Sequence, residues 1–434
     1  MRAVICDDPR RLPPVNDTPT NRRLLLLVPT TSYRIGDFLD AAERLGVDVA
    51  VGSDERQVLE LYSGGGTLSV DFDDPDRGVA RIVAYDAEFP LAAIVGVDDE
   101  TTLIAALAAQ ALGLPHNAPD SIEATANKHR FRTRLANSGL PAPRFFLVPV
   151  GDDPALAARG SFYPAVLKPL ALSASRGVIR ANDPDAFAAA FRRIGAILAK
   201  AEMTGDAAGQ VLVEEYIPGA EVALEGLLDQ GALTVLALFD KPDPLEGPYF
   251  EETIYVTPSR LADDVQDAIA ATVRRAVNTL GLREGPIHAE MRINEGGVWL
   301  IEVAARSIGG LCSRALRFGT GGRLEDLILR HALGLPTGVA APEHPATGVM
   351  MIPIPAAGTL ADVAGLEAAR AVAAIEDVTI SIPLGGAVVP VPEGNRYLGF
   401  IFAHADTPEA VTAALREAHR ALEFTIEPVD TGPR

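Results

Sequence analysis

The chain has 434 residues, of which 48% are hydrophobic and 22% are charged, so it is long enough for two to four domains with sizeable cores. Its formal net charge of −20 argues against non-specific nucleic-acid binding, which needs a basic surface. The longest apolar runs, such as LLLLV at residues 24–28, fall far short of the roughly 20 residues that a membrane helix needs, so no membrane span is predicted.

Residues 1–22 are rich in Pro, Asp and Arg and predict a loose tail. They lack the apolar core of a signal peptide, and the two cysteines, Cys6 and Cys312, make no disulfide framework. The expected location is therefore cytoplasmic.

An N-terminal α/β domain is predicted over residues 23–118. RRLLLLVPT has the pattern of a strand, YRIGDFLDAAERLG that of a helix closed by Gly46, and VDVAVGS that of a second strand. LAAIVGVDDETTLIAALAAQALGLP repeats this order, which implies a parallel sheet. Asp98 and Asp99 stand where a strand ends and a helix begins, so we expect them to cap that helix.

A second domain is predicted over residues 119–335. It opens with a helical region, continues through short strands and turns at about residues 145–213, and contains the helix ADDVQDAIAATVRRAVNTLGL. Residues 240–259 are predicted to be a loop that borders a substrate. After ALGLPTG the composition becomes rich in Pro and Val, and an α+β subdomain is predicted over residues 336–434.

The stretch IHAEMRINEGGVWLIEV predicts a hairpin whose turn is NEGG. Such a hairpin puts Glu290 directly opposite Glu302 on one face. The other face, which we expect to be buried, has Ala289, Met291 and Ile293 facing Trp299, Ile301 and Val303. Two solvated carboxylates repel each other by about 0.2–1 kcal/mol, whereas a divalent cation between them would turn that cost into affinity. Two glutamates on an exposed sheet face are the alternative.

Two lysines stand out, one at the end of a predicted strand and one on a predicted helix. Lys168 ends the apolar strand PAVLKP and precedes a loop of small residues, 173–177, whose backbone N–H groups can approach phosphates. Lys128 lies about forty residues earlier on a helix with Arg130, Arg132 and Arg134. The alternatives are a surface cation for Lys168 and a solvated basic face for the helix.

The segment VLVEEYIPGAE runs an apolar strand into Glu214, Glu215, Tyr216 and Ile217. A strand edge offers backbone groups to an adenine ring, and the carboxylate of Glu221 can accept hydrogen bonds from ribose hydroxyls. An acidic hinge is the alternative interpretation.

In this order and spacing the four segments resemble the ATP-grasp superfamily over roughly residues 119–335. The resemblance implies an α/β and α+β fold with an N-terminal parallel domain, a mobile lid at about residues 145–213, a central domain that binds ATP between two sheets, and the C-terminal subdomain. It implies the following ATP contacts: Lys128 and Lys168 on the phosphates, the loop of Ser173, Ser175 and Gly177 over them, Glu214, Glu215 and Ile217 at the adenine, and Glu221 at the ribose.

The same resemblance implies Mg²⁺, with Mn²⁺ as an alternative, on Glu290 and Glu302, and places Arg306 on the transferred phosphoryl group. Relatives often carry an asparagine metal ligand where this chain has Ala304 in EVAAR, and the phosphate loop has one glycine where relatives often have several. The form HAE…IEVAARSIGG is most similar to the L-amino acid ligases, which form dipeptides.

The function implied is an ATP-dependent carboxylate:amine ligase that forms an amide through an acyl phosphate and releases ADP and phosphate. Its expected partners are small-molecule carboxylates and amines, amino acids among them, with neither nucleic acid nor membrane, and a homodimer is left open. An ATP-grasp carboxylase of the biotin-carboxylase or purine-pathway type and a non-catalytic nucleotide-binding protein are the alternatives.

Six further residues have predicted roles. No Ser or Cys nucleophile is required, so Cys312 is expected in the core or behind the residues that contact ligands. His288 is expected to assist proton removal from the amine or to hold substrate, with a structural histidine as the alternative. Glu252 and Tyr255 are candidates for binding an amino group, as is Glu251. Lys241 is a candidate third phosphate contact.

Overall fold

The computed structural model describes residues 23–55, 64–201, 205–319, 321–338 and 341–428. The predicted tail, residues 1–22, and Cys6 within it lie outside these described residues. In the part of the chain that is described, no helix combines the length and apolar character needed to cross a membrane.

The N-terminal unit is a parallel sheet, as predicted. Its strands are Arg23–Leu27 (β1), Asp48–Ser53 (β2), Thr67–Ser69 (β3) and Leu91–Gly96 (β4), and its helices are Ile35–Leu45 (α1), Pro75–Glu88 (α2) and Asp99–Leu112 (α3). The strand order is β3-β2-β1-β4, and each pair is parallel. Gly46 ends α1 in a left-handed conformation with φ +63°, which glycine adopts without steric cost.

The next segment begins with two helices and continues into a small sheet. The elements are Pro119–Ala126 (α4), Lys128–Asn137 (α5), Phe145–Pro149 (β5), Pro154–Arg159 (α6), Ala165–Pro169 (β6), Ile179–Ala181 (β7), Pro184–Lys200 (α7), Gly205–Ala208 (α8) and Gln210–Glu215 (β8). The antiparallel order is β5-β8-β6-β7, and α7 packs Phe187, Phe191 and Ile194 onto one face. We propose this sheet and α7 as the lid.

The central unit follows. Its elements are Ala220–Asp229 (β9), Ala232–Asp240 (β10), Ile254–Thr257 (β11), Asp263–Leu280 (α9), Gly285–Asn294 (β12), Gly297–Ala304 (β13), the 3₁₀ helix Cys312–Ala315, Arg317–Phe318 (β14), Gly322–Arg323 (β15) and Leu324–Ala332 (α10). The prediction of a loop over residues 240–259 is wrong at its end, because residues 254–257 form β11. Their sequence, IYVT, consists of β-branched and aromatic residues that favour strands.

The C-terminal elements share a sheet with the central unit. They are Ala346–Ile352 (β16), Gly358–Ala364 (β17), Leu366–Arg370 (α11), Ile375–Ile380 (β18), Ala387–Val388 (β19), Gly399–Ala405 (β20), Pro408–Ala421 (α12) and Glu423–Glu427 (β21). The eight-stranded sheet has the order β13-β12-β9-β10-β11-β16-β20-β18. It therefore contains strands from both sides of the predicted domain boundary at residue 335. Strands β19, β17 and β21 form a separate sheet.

The hairpin of β12 and β13 has the predicted central pair, because Glu290 pairs with Glu302. The expected pair of Ala289 with Val303 is also confirmed, but the pairs toward the turn are wrong: Met291 pairs with Leu300 rather than Ile301. Ile301 is the extra residue of a β-bulge, which shifts the register by one and sends Leu300 into the core. The buried face therefore carries Leu300 and Val298 in place of the predicted Ile301 and Trp299.

Candidate functional site

Two cavities meet between the lid sheet and the eight-stranded sheet. The first cavity lies under the lid, and the second, larger cavity extends toward the N-terminal unit. Six residues line both cavities: Ser173, Ala174, Ser175, Glu252, Glu290 and Glu302. A molecule in the first cavity can therefore present one end to a molecule in the second.

A buried ion triad closes one wall of the first cavity. The carboxylate of Glu214 accepts hydrogen bonds from Arg132 Nε at 2.5 Å and Arg132 Nη2 at 3.1 Å, and lies 2.7 Å from Lys168 Nζ. Burial opposes the charge on Glu214, but the two cations overcome this effect and hold its pKa at about 2. Burial lowers the pKa of Lys168, and Glu214 opposes that shift.

This triad bears on two interpretations from the sequence. The alternative interpretation of its helix put Arg132 on a solvated basic face, yet Arg132 is only 1% exposed and also donates to the carbonyls of Leu300 and Ile301. Glu214 was expected at an adenine, yet both of its oxygens are engaged by cations. Its carboxylate therefore orients Lys168 in this structure.

The loop of residues 173–177 overhangs the border of the two cavities. Lys128 Nζ donates to the carbonyl oxygen of Leu172 at 2.6 Å, which fixes the start of this loop. Ala174 and Ser175 have φ angles of +52° and +55°, a left-handed conformation that costs a non-glycine residue about 1–3 kcal/mol. Such a turn points successive backbone N–H groups toward one side, as anion-binding loops do.

Gly177 does not line either cavity. Its N–H donates to the carbonyl oxygen of Pro392 at 2.8 Å, so this group does not point at a phosphate. Position 177 requires glycine for steric reasons. Its φ is +73°, and a Cβ atom placed there would lie only 2.6 Å from the side chain of Pro169. The contact between Gly177 and ATP stays a prediction, and this conformation does not support it.

The far end of the first cavity is mostly apolar. It is lined by Val166, Tyr216, Ile217, Phe250 and Ile301. The carbonyl oxygen of Ile217 accepts a hydrogen bond from Arg292 Nη1 at 2.8 Å. A flat ring fits between such side chains, with the backbone of residues 215–217 at its edge.

Two predicted carboxylates border this apolar end. Glu215 makes a paired contact with Arg144, with both distances 3.0 Å, at the exposed edge of the cavity. Glu221 accepts from Lys241 Nζ at 2.8 Å and from Arg292 Nε at 2.9 Å. Both side chains line the cavity and carry a nearby counterion.

Lys241 is buried among three carboxylates. Its Nζ contacts Glu221 and Glu252 and lies 3.4 Å from Glu290, while oxygens of these three glutamates lie within 4.8 Å of one another. Burial opposes its charge, yet the three carboxylates raise the pKa of Lys241 well above its usual range. The predicted phosphate contact is therefore replaced by an internal counterion role.

Glu252 and Glu290 share Lys241 as a counterion. Burial, together with the charge of Glu290, raises the pKa of Glu252. Burial also opposes ionisation of Glu290, but Lys241 and His288 lower the pKa of that carboxyl well below its usual range. Tyr255 donates its hydroxyl to Glu252 at 2.7 Å. Glu290 is thus held as a carboxylate at the border of the cavities.

The donor set at this border fits Mg²⁺. Glu290 and Glu302 are paired across the hairpin, and both line both cavities. Carboxylate oxygens beside the expected position of phosphate oxygens are the hard ligands that Mg²⁺ prefers. Ala304, opposite His288 in the hairpin, contributes no ligand atom.

His288 is held between two carboxylates. Nδ1 contacts Glu225, and Nε2 lies 3.0 Å from Glu290. Burial opposes protonation, but these carboxylates raise the pKa of His288 to about 10. An imidazolium has no lone pair for a proton, so the predicted role in removing a proton from the amine does not fit this state, and the structural alternative does.

Arg306 lies against the N-terminal unit. It makes a paired contact with Asp99, at 2.9 and 2.7 Å, and lines the second cavity. Burial disfavours its charge, but Asp99 raises the pKa of Arg306 and has its own pKa lowered by Arg306. Asp98 is the N-cap residue of α3 as expected, whereas Asp99 orients Arg306.

Three important residues were missed or misjudged from the sequence: Arg132, Asp99 and Glu225. Arg132 lies one helical turn after Lys128, and this i,i+4 spacing is a signal that both side chains share a face. Asp99 and Glu225 had no comparable signal, since each meets its partner only through tertiary folding. The expectation that Cys312 lies in the core is met, since it is 2% exposed.

Comparison with protein-family models gives three matches. The ATP-grasp domain matches residues 161–315, the ATP-grasp N-terminal domain matches residues 39–116, and L-amino acid ligase C-terminal domain 2 matches residues 350–427.

Named relatives are similar to this chain over about half of its length. Dapdiamide A synthase of Enterobacter agglomerans is 31% identical over 43% of this chain and 43% of its own length. Alanine–anticapsin ligase of Bacillus subtilis is 26% identical over 55% of this chain, and the match spans 53% of that ligase. These alignments cover about half of each relative.

A solved structure extends the similarity to nearly the whole chain. The L-amino acid ligase from Bacillus licheniformis superposes with a TM-score of 0.80 and 27% identity, covering 94% of this chain and 100% of that one. The predicted resemblance to ATP-grasp proteins and the predicted ATP-grasp fold are thereby confirmed. The chain therefore has an ATP-grasp domain over residues 161–315, flanked by the two other matched domains, and its fold is similar to that of an L-amino acid ligase.

Proposed function

We propose that the protein is an ATP-dependent carboxylate:amine ligase that forms an amide bond, with an amino acid as at least one substrate. One observation carries the proposal: the lysine end of the first cavity opens into the second cavity at Glu290 and Glu302. ATP in the first cavity would thus present its γ-phosphate to a carboxylate in the second.

The chemistry has two steps. A carboxylate oxygen of the acid attacks the γ-phosphorus, the bond to the β-phosphate oxygen breaks, and ADP leaves. The amine nitrogen then attacks the acyl carbon, and phosphate leaves with the oxygen that the acid supplied. Amide, ADP and phosphate result, and the amine loses a proton to solvent or phosphate.

The chain's own residues assist by charge and position. Lys128 and Lys168 lie at the phosphate end, where cations stabilise the transferred group. Arg306, held by Asp99, faces the second cavity, where the acyl phosphate forms. The loop of residues 173–175 covers the border and keeps out water that would hydrolyse the intermediate.

Glu290 and Glu302 are the proposed holders of Mg²⁺, which would supply charge neutralisation of the phosphates. The adenine is assigned to the apolar end around Ile217, and the ribose to Glu221. Glu252, whose pKa is raised, and Tyr255 are proposed to face the amino group of an amino acid substrate.

The test is to incubate the protein with ATP, Mg²⁺ and pooled amino acids. The expected result is ADP, phosphate and a product whose mass equals two substrates less one water, with Glu302→Ala abolishing turnover. Bicarbonate-dependent phosphate release without a condensed product would instead identify a carboxylase. ATP binding with no ADP formed from any mixture would contradict catalysis.

A further inference from the structure

A segment of the C-terminal unit lies on the phosphate loop of the lid. We call residues 392–397 the clasp segment. The N–H of Gly177 donates to the carbonyl oxygen of Pro392 at 2.8 Å, and Arg176 Nε donates to the carbonyl oxygen of Glu393 at 3.0 Å. Two donors of the phosphate loop are thus bound by consecutive carbonyls from a distant part of the chain.

The side chain of Glu393 makes a second attachment to the lid. It accepts from Arg193 Nε at 2.6 Å and from Arg193 Nη2 at 2.8 Å, and Arg193 lies on α7. The pKa of Glu393 is lowered chiefly by its hydrogen bond to Arg193. Arg193 also donates to the hydroxyl of Tyr249. One residue of the clasp segment therefore connects the lid helix with the phosphate loop.

The other end of the clasp segment reaches the second cavity. Asn395, Arg396 and Tyr397 line it, and Arg396 Nε donates to the hydroxyl of Tyr33 at 2.9 Å. The segment therefore touches the lid, the N-terminal unit and the proposed substrate cavity within six residues.

We propose that Glu393 is a positioning residue that fixes the phosphate loop over the nucleotide. This inference rests on the proposed function of the same site. The loop residues Ala174 and Ser175 hold an unfavourable left-handed conformation, which persists only where surrounding contacts impose it. The carbonyls of the clasp segment and the pair of Glu393 with Arg193 are such contacts. Loosening them frees the loop, weakens the grip on ATP and admits water to the acyl phosphate.

The expected effect is modest because the pair is partly exposed, with side-chain exposures of 40% for Arg193 and 33% for Glu393. Exposed ion pairs contribute little free energy. The two hydrogen bonds between Arg193 and Glu393 place this pair at the stronger end of the range for exposed pairs. We expect Glu393→Gln to weaken nucleotide affinity roughly two- to fivefold. The ratio of ADP formed to amide formed should rise as well, which a purely structural residue would not cause.

The test uses Glu393→Gln, Arg193→Gln and the exchanged pair Arg193→Glu with Glu393→Arg in the full chain. Glu376→Gln is the matched control, because its pair with Arg317 has similar exposures of 29% and 31% and does not touch the lid. Calorimetry with Mg²⁺ and a non-hydrolysable ATP analogue measures affinity without any substrate. The ratio of ADP to amide is measured separately, and circular dichroism checks folding.

The inference predicts weaker analogue binding for both single variants, recovery in the exchanged pair and no change in the control. Unchanged affinity and unchanged product ratio in both single variants would overturn it. So would losses that the exchanged pair does not recover, because the ion pair would then not be their cause. If the wild type binds the analogue but forms no amide, the proposed function fails while the affinity comparison still decides the role of Glu393.

Discussion

At the scale of single residues, the site is built from buried charges that neutralise one another. Glu214 is ionised because Arg132 and Lys168 surround it, and Lys241 is charged because three glutamates surround it. Removing one member of such a group is costly, since it leaves an uncompensated buried charge. The same groups hold Lys168 and Glu290 in place.

Replacing Glu214 tests the first of these groups. The folded pKa of about 2 lies below the ordinary 4.5, so the ionised carboxylate stabilises the fold fully above about pH 4.5, and this contribution is lost as the pH falls toward 2. Glu214→Gln should cost about 3–5 kcal/mol at pH 7. Urea unfolding at pH 7, 5, 4 and 3 should show the gap to wild type narrowing below pH 4.5. If the difference in unfolding free energy between wild type and variant did not change with pH, the lowered pKa of Glu214 would be contradicted.

Replacing Asp99 tests how Arg306 is oriented. Asp99→Asn keeps the size of the side chain but removes the charge that pairs with Arg306. Groups that stabilise developing charge contribute strongly to turnover, and we expect this indirect change to lower kcat about tenfold with little effect on KM for ATP. Asp48→Asn, which alters a surface pair with Arg23, should leave both constants unchanged. A loss confined to KM for ATP would refute the orienting role.

At the scale of elements, the bulge in β13 decides which side chains line the first cavity. Leu300 points into the core and Ile301 lines the first cavity, next to Glu302. In a regular strand, successive side chains point to opposite faces of the sheet, so Ile301 and Glu302 would not both lie on the cavity wall.

Alanine variants of these neighbours should separate stability from binding. Leu300→Ala should reduce the free energy of unfolding by about 2–5 kcal/mol, as for other buried leucines, and leave ATP affinity near wild type. Ile301→Ala should weaken ATP binding several-fold, roughly 1 kcal/mol, with the smaller effect on unfolding. Urea unfolding and nucleotide titration measure the two quantities. If Leu300→Ala mainly weakened ATP binding and Ile301→Ala mainly reduced stability, the bulge would be contradicted.

Patterns that are local in the sequence were predictable, and contacts between distant segments were not. The turn at NEGG and the pairing of Glu290 with Glu302 follow from strand periodicity, and Gly46 follows from helix-ending rules. The bulge at Ile301 changes the register without a residue type that announces it. The burial of Arg132 depends on Glu214, some eighty residues away, which no local pattern reports.

At the scale of the whole molecule, one sheet joins the central and C-terminal units. Strand β11 pairs with β10 on one side and β16 on the other, and Met351, Phe400 and Phe402 share a core with Phe239. The two units should therefore fold together. A cytoplasmic location and a homodimer remain predictions.

Truncation tests this continuity. A chain ending at residue 335 would expose the edge of β11 and part of the shared core, so it should aggregate and lack a cooperative unfolding transition. The full chain, prepared in the same way, is the control. Size-exclusion chromatography and thermal unfolding followed by circular dichroism distinguish them. A soluble, cooperatively folded chain of residues 1–335 would contradict the account.

The most direct test of the proposed chemistry follows an oxygen atom. An amino acid substrate labelled with ¹⁸O in its carboxyl group is incubated with ATP, Mg²⁺, the amine and the protein, and the released phosphate is examined by mass spectrometry. The account predicts one ¹⁸O atom in phosphate for each amide formed, because the acid's oxygen leaves with the phosphoryl group. Unlabelled phosphate accompanying amide formation would contradict an acyl phosphate intermediate.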